Sequence, residues 1–228
     1  LIAVLMMGEP EFSSVQKTPS FSKKREWFPY VLISPFKDFM RQKGWLAILV
    51  FMLIYRLPDN LLSMMQTLFL LDLGFTYLEI STVAKTFGLM AILGGGFLGG
   101  HWIRQYGYHK TLLWSAVAHG LACLLFLGQA KLGANISFLS LTIGVEHFLS
   151  GVMLTGFFSY QLMCSSKTFA ATQLALLTSL ANLGGVFAKP LAGVIVDHFG
   201  WVPFLVVVAL SAIPGILWVK RIPFGREP

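Results

Sequence analysis

Charge is what this 228-residue chain has least of: Asp, Glu, Lys and Arg make up 12% of it, against about 25% in soluble domains. Together with 56% apolar residues and a mean hydropathy of +0.72, that scarcity excludes a disordered chain and an ordinary water-soluble domain. Lipid is the expected solvent. Cysteine is nearly absent. Cys123 and Cys164 lie in or beside apolar runs with no CxxC or Cys/His spacing, so they imply no disulfide framework and no metal site. No metal or other cofactor is expected elsewhere either. Enzyme motifs are missing too. There is no HExxH, the order and spacing of Glu146 and His147 being wrong for zinc, no serine-nucleophile turn and no phosphate-cradling GxxxxGK[ST]. No catalytic residue is assigned. The basic excess, 17 Lys plus Arg against 10 Asp plus Glu, lies mostly outside the apolar runs. It reports membrane orientation and gives no reason to expect nucleic acid.

What the sequence does have is long apolar runs. A bilayer core needs roughly 20 such residues per helical pass, and six runs supply them: 44–71, 79–100, 111–130, 136–163, 171–196 and 201–219. The expected fold is all-α, a polytopic membrane protein with six transmembrane helices. Residues 1–8 read as the end of a preceding transmembrane helix. Residues 9–43 read as a cytoplasmic linker with an amphipathic helix, 44–219 as the six-helix bundle and 220–228 as a cytoplasmic tail. The chain starts with Leu and has no signal-peptide pattern, so it reads as the C-terminal part of a longer protein. Within the linker, Ser34 is placed to cap a helix with Pro35 at its first position, and Phe36, Phe39 and Met40 share one face.

Basic residues set the expected topology. Segment 9–43, the turns after the second and fourth spans, and the tail together hold thirteen Lys and Arg; the alternate turns hold only Lys131. Both ends of the chain are therefore expected in the cytoplasm.

Ionisable side chains within spans are costly, roughly 2.5–3.5 kcal/mol each on insertion scales, and are functional candidates for that reason. Arg56 and Asp59 sit mid-run on one helix face, with Pro58 between them predicting a kink or break. Lys85 lies about two turns into the second span. Glu146 and His147 are central in the fourth, where adjacent residues point about 100° apart, so at most one is expected to face a cavity squarely. Glu146 is the preferred proton carrier, and His119 is read as a packed, hydrogen-bonded histidine without a role. In the fifth span, Gln173 is near the cytoplasmic end, Asn182 at mid-depth and Lys189 one residue before Pro190. Gly95 with Gly99, and Gly96 with Gly100, offer close helix approach.

Several stretches resemble the C-terminal half of the AmpG muropeptide permeases, a branch of the major facilitator superfamily. They are SPFKDF at 34–39, YRLPDN at 55–60, GFTYLEISTVAKTFGL at 74–89, GGGFLGG at 94–100, KTFAATQLALLTSLANLGG at 167–185 and GWVPF at 200–204. The resemblance implies a facilitator half that imports anhydromuropeptides, coupled to protons, across the bacterial inner membrane for cell-wall recycling. It matches Asp59 and Lys85 to the family's intramembrane charges, Glu146 to a carboxylate in its tenth helix and Gln173 to its ATQ glutamine. The pattern departs at Gly185, where such sequences usually carry arginine; Lys189 stands one turn on.

Substrate contacts are then expected from Arg56, Gln66, Lys85, Asn182 and Lys189, and proton coupling from Asp59 and Glu146, with Tyr55 or Tyr160 as possible sugar platforms. The expected partners are a muropeptide-like solute, protons, the lipid bilayer and an N-terminal six-helix half. Competing readings are a carrier of a siderophore or acetyl-CoA, and a transport-inactive membrane component.

Overall fold

The computed structural model describes residues 33–223. The readings of 1–8, of most of the linker and of the tail beyond 223 fall outside that range. The described chain begins in a helix, α1, over residues 33–40. Because residue 33 is already helical, Ser34 lies within α1 and is not its cap. Pro35 and Phe39 are buried, while Phe36 and Met40 lean over an apolar cavity shared with Trp45, Leu176 and Leu180.

Five stretches are long and apolar enough to cross a membrane: Trp45–Asp72, Tyr77–Leu132, Ile136–Cys164, Ala170–Phe199 and Trp201–Val219. The first consists of α2 (Trp45–Tyr55) and α3 (Leu57–Asp72), which meet at a non-helical Arg56 with φ −92° and ψ 3°. Pro58 lies in the first turn of α3, so the break expected beside the ion pair is present. Thr76 starts α4 (Tyr77–Val83) with a capping box: its side chain accepts from the Glu79 amide while Glu79 accepts from the Thr76 amide. A π-helical turn, Ala84–Gly88, leads into α5 (Leu89–Cys123), and α6 (Leu125–Leu132) follows.

The second and third expected spans thus form one helical stretch of 56 residues. It is not straight. At Gly107 the backbone takes φ 77° and ψ 169°, a conformation that favours glycine. Its contacts with α7 (Ile136–Cys164) show the reversal. Gly88 meets His147, Gly95 meets Phe148 and Gly99 meets Thr155; after the bend Leu112 meets Gly156, His119 approaches Glu146 and Gly128 meets Phe138. The chain runs along α7 one way and returns the other, so the stretch makes two antiparallel passes. The bundle is completed by α8 (Ala170–Phe199), which carries Pro190 internally, and by α9 (Trp201–Leu210) and α10 (Ala212–Val219).

Of the two expected glycine pairs, one makes the close approach. A Cβ on Gly95 would collide with the Phe148 carbonyl oxygen, and one on Gly99 would stand 3.0 Å from the Val152 oxygen, whereas Gly100 faces open space. Gly184 and Gly185 pack against the first span, at Leu53 and Asn60.

The buried apolar residues form two clusters. One gathers Leu62, Phe69, Phe126, Leu139, Ile143 and Val208; the other gathers Phe51, Tyr55, Leu112, Met153, Phe157 and Val219. Along the first, third and fourth spans, Arg56 and Asp59, His119, and Glu146 and Ser150 lie between the two clusters. A polar layer therefore divides the core at mid-depth.

Candidate functional site

The break between α2 and α3 builds the first part of this layer. Arg56, freed from helical geometry, turns its guanidinium onto Asp59, with Nη2 to Oδ2 at 2.7 Å, and offers Nη1 to Asn182 Oδ1 at 3.4 Å. Ser150 Oγ, on α7, donates to Asp59 Oδ1 at 2.8 Å. Asp59 is 8% exposed, and its two oxygens have one strong donor each.

α7 supplies the second carboxylate. Glu146 is 6% exposed, and its Oε2 meets His147 Nδ1 at 2.6 Å. The 100° offset between neighbours does separate their surroundings. Glu146 points into the bundle, whereas His147 lines a cavity of about 300 Å³ with Lys85, Gly88 and Ile92.

His119 lies between the carboxylates. It is fully buried, with Nε2 3.4 Å from Glu146 Oε1 and 3.8 Å from Asp59 Oδ1, yet it is aligned with neither as a hydrogen bond. Its Nδ1 is 4.0 Å from Cys123 Sγ. Donor atoms of Asp59, His119 and Glu146 all lie within 4.8 Å of one another, an arrangement that attracts positive charge. Sequence reasoning left His119 out. Its signal was weak, since only the fold-back at Gly107 sets the third span against the fourth at this height.

The expected substrate residues separate into places. Asn182 and Lys189 line a cavity of about 260 Å³ with Asn60 and Ser63, beside the Arg56 guanidinium. Gly185 lines it too; a Cβ there would meet the Asn60 side chain, which donates to the Ala181 carbonyl. A larger residue at 185 would have to displace Asn60. Lys85 belongs to the His147 cavity. Gln66 is half-buried on α3 and lines neither.

Tyr55 and Tyr160 are not sugar platforms. Both are core side chains; the Tyr55 hydroxyl donates to the Leu112 carbonyl at 2.9 Å and the Tyr160 hydroxyl to the Pro223 carbonyl at 3.2 Å. Gln173 is also buried, but far from the polar layer. Its Oε1 accepts from the Ser166 amide at 2.6 Å, and its Nε2 donates to the Pro35 carbonyl and Asp38 Oδ2 at 3.0 Å each. It ties α1 to the start of α8.

The long apolar helices and a charged layer enclosed at mid-depth define a multi-pass α-helical membrane protein of the kind that moves polar solutes. Residues 59–228 match the profile of the Major Facilitator Superfamily, and the chain belongs to that family, one of transporters rather than enzymes. It is similar to proteins named as AmpG transporters: 36% identical over 188 residues to AmpG 2 of Rickettsia felis, 34% over 191 to AmpG 2 of Rickettsia prowazekii, and 33% over 178 to AmpG 1 of Rickettsia bellii. These matches cover 82%, 84% and 78% of this chain, but 46%, 47% and 43% of the relatives. The chain spans about half the length of the curated relatives it matches.

Proposed function

We propose that this chain acts as a six-helix half of a proton-coupled secondary transporter that imports anhydromuropeptides across the bacterial inner membrane for cell-wall recycling, with both chain ends in the cytoplasm. The observation that carries the reading is the polar layer. Two carboxylates and an arginine are held between two dry clusters in an apolar bundle, at a cost that a purely structural role does not repay. The AmpG names of its relatives and the AmpG-like motifs support the choice of solute.

A muropeptide presents peptide carboxylates and sugar hydroxyls. Lys189 and Arg56 flank one cavity and Lys85 the other, suiting the acids, while Asn182, and Gln66 in a rearranged state, suit the hydroxyls. Asp59 and Glu146 carry the coupling. One proton moving down 100 mV contributes about 2.3 kcal/mol, roughly a fortyfold accumulation, so one titrating centre suffices. A carrier site between repeats needs both walls, hence a second six-helix half as partner.

The test is uptake into vesicles containing the complete transporter. Labelled anhydromuropeptide should accumulate when the outside is acid, whereas labelled acetyl-CoA and a ferric siderophore should not. Asp59→Asn and Glu146→Gln should abolish accumulation while membrane insertion persists. Normal accumulation in both variants removes the coupling assignment, and preference for either competing solute removes the substrate assignment.

A further inference from the structure

We infer that His119 is the group on which the coupling proton resides, an imidazole shared between Asp59 and Glu146 that takes up and gives back one positive charge per cycle. This inference rests on the proton-coupled reading above and adds to it a residue on the third span.

The geometry singles out His119 among the ring nitrogens and carboxylates of the layer. Every other polar end of the two carboxylates is engaged. Asp59 has Arg56 and Ser150, and Glu146 Oε2 has His147. The remaining oxygen, Glu146 Oε1, faces His119 Nε2, a fully buried atom with no hydrogen-bond partner. Nearly all buried polar atoms in proteins are paired, so an orphaned ring nitrogen aimed between two carboxylates marks a place where something is bound or released.

Charge bookkeeping makes that ligand one positive charge. With both imidazoles neutral, Arg56 offsets one carboxylate and the layer keeps one net negative charge in an apolar setting. A single proton on Nε2 neutralises it and supplies an N–H that can donate to Glu146 Oε1 or, after a small ring rotation, to Asp59 Oδ1. The charged groups facing His119 are accounted for on each packed element: Asp59 and Arg56 from the first span, Glu146 and His147 from the fourth, and the Cys123 thiol from its own. The last span packs alongside at Gly120 and Ala212 and has no ionisable residue between 201 and 219.

Access exists on both sides. His147 opens onto the Lys85 cavity and touches Glu146; on the far side Asp59 is joined through Arg56 to Asn182 and the Lys189 cavity. His119 is the titratable group between the two carboxylates, so a proton passing from one to the other passes through its ring.

The experiment uses His119→Gln in the complete transporter reconstituted in sodium-free liposomes. Glutamine retains size and hydrogen bonding but takes no proton near neutrality. Wild type should accumulate labelled anhydromuropeptide down an imposed pH gradient. The variant should lose at least tenfold of that accumulation while keeping exchange of labelled for unlabelled solute at equal pH. A variant that still accumulates at the wild-type level overturns the role of His119 and leaves the proposed function standing. Wild type that fails to accumulate under the pH gradient overturns the proposed function itself. Accumulation that follows a sodium gradient at equal pH overturns the proton as the bound charge. Should the variant lose exchange as well, nitrogen NMR of the 15N-histidine-labelled wild-type protein decides. The His119 ring should switch between neutral and doubly protonated forms with pH, at a midpoint displaced by Glu146→Gln, and a single neutral tautomer throughout overturns the inference.

Discussion

The glycine pairs on α5 provide a test with its own control. Gly95 and Gly96 each begin a four-residue glycine spacing, and the two spacings differ only in the helix face they present. Gly95 and Gly99 press against the backbone of α7, whereas Gly96 has only ordinary contact with Thr155 and Gly100 meets nothing. An alanine methyl at Gly95 would occupy the position of the Phe148 carbonyl oxygen, with Val152 N at 3.1 Å behind it. Because the obstacle is helix backbone, it cannot rotate aside, and α5 and α7 must separate at the level of the polar layer. Overpacking of this kind costs about 1–3 kcal/mol. At Gly100 a methyl meets nothing within 4 Å, so the helix propensity of alanine, about 0.8–1 kcal/mol better than glycine, acts alone. Because the propensity gain is common to both, the two substitutions should differ by the overpacking cost, about 1–3 kcal/mol, roughly fivefold or more in the folded-to-unfolded ratio. Reversible unfolding in mixed detergent micelles, followed by the fluorescence of Trp102 and Trp114, measures it. Gly99→Ala should fall between, since its neighbours stand at 3.0 Å. If Gly100→Ala were as destabilising as Gly95→Ala, the packing of the second pass against the fourth described above would be wrong.

Other expectations follow from single contacts. Gly107→Ala puts a side chain at φ 77° and should destabilise by about 1–2 kcal/mol in the same unfolding assay. Tyr55→Phe removes the hydroxyl shared by the Leu112 carbonyl and Ser115 and should cost about 1 kcal/mol with no change in solute affinity, which would separate core packing from sugar recognition. Thr76→Ala deletes the cap of α4 and should cost about 1 kcal/mol, seen as faster amide exchange confined to residues 76–83. Gln173→Ala frees α1, and protease sensitivity near residues 33–43 should rise while the unfolding midpoint of the bundle changes little.

Much of this was legible in the sequence because membrane helices announce themselves by length. The six apolar runs fall on the five long helical stretches, two of them in Tyr77–Leu132, and Pro58 between Arg56 and Asp59 marked the broken helix. Gly95 and Gly96 show the limit. Spacing identified two glycine pairs, but which of them takes the close backbone approach depends on how the hairpin at Gly107 is rotated, which no local pattern encodes. The same holds for His119. Its partners are Asp59 and Glu146, on other spans, and their convergence is a property of packing. Tyr55 and Tyr160 failed as ligand platforms because an aromatic in a span has the same periodicity whether it faces a cavity or the core. The start of the second span at Tyr77, two residues before the apolar run, is encoded locally by the Thr76 and Glu79 capping box.

Gln173 has a mechanical consequence. One amide group grips both α1 and the start of α8, so these two pieces tilt as a unit. Phe36 and Met40 travel with that unit, so the apolar cavity they line with Trp45, Leu176 and Leu180 keeps its shape only as long as the Gln173 grip holds.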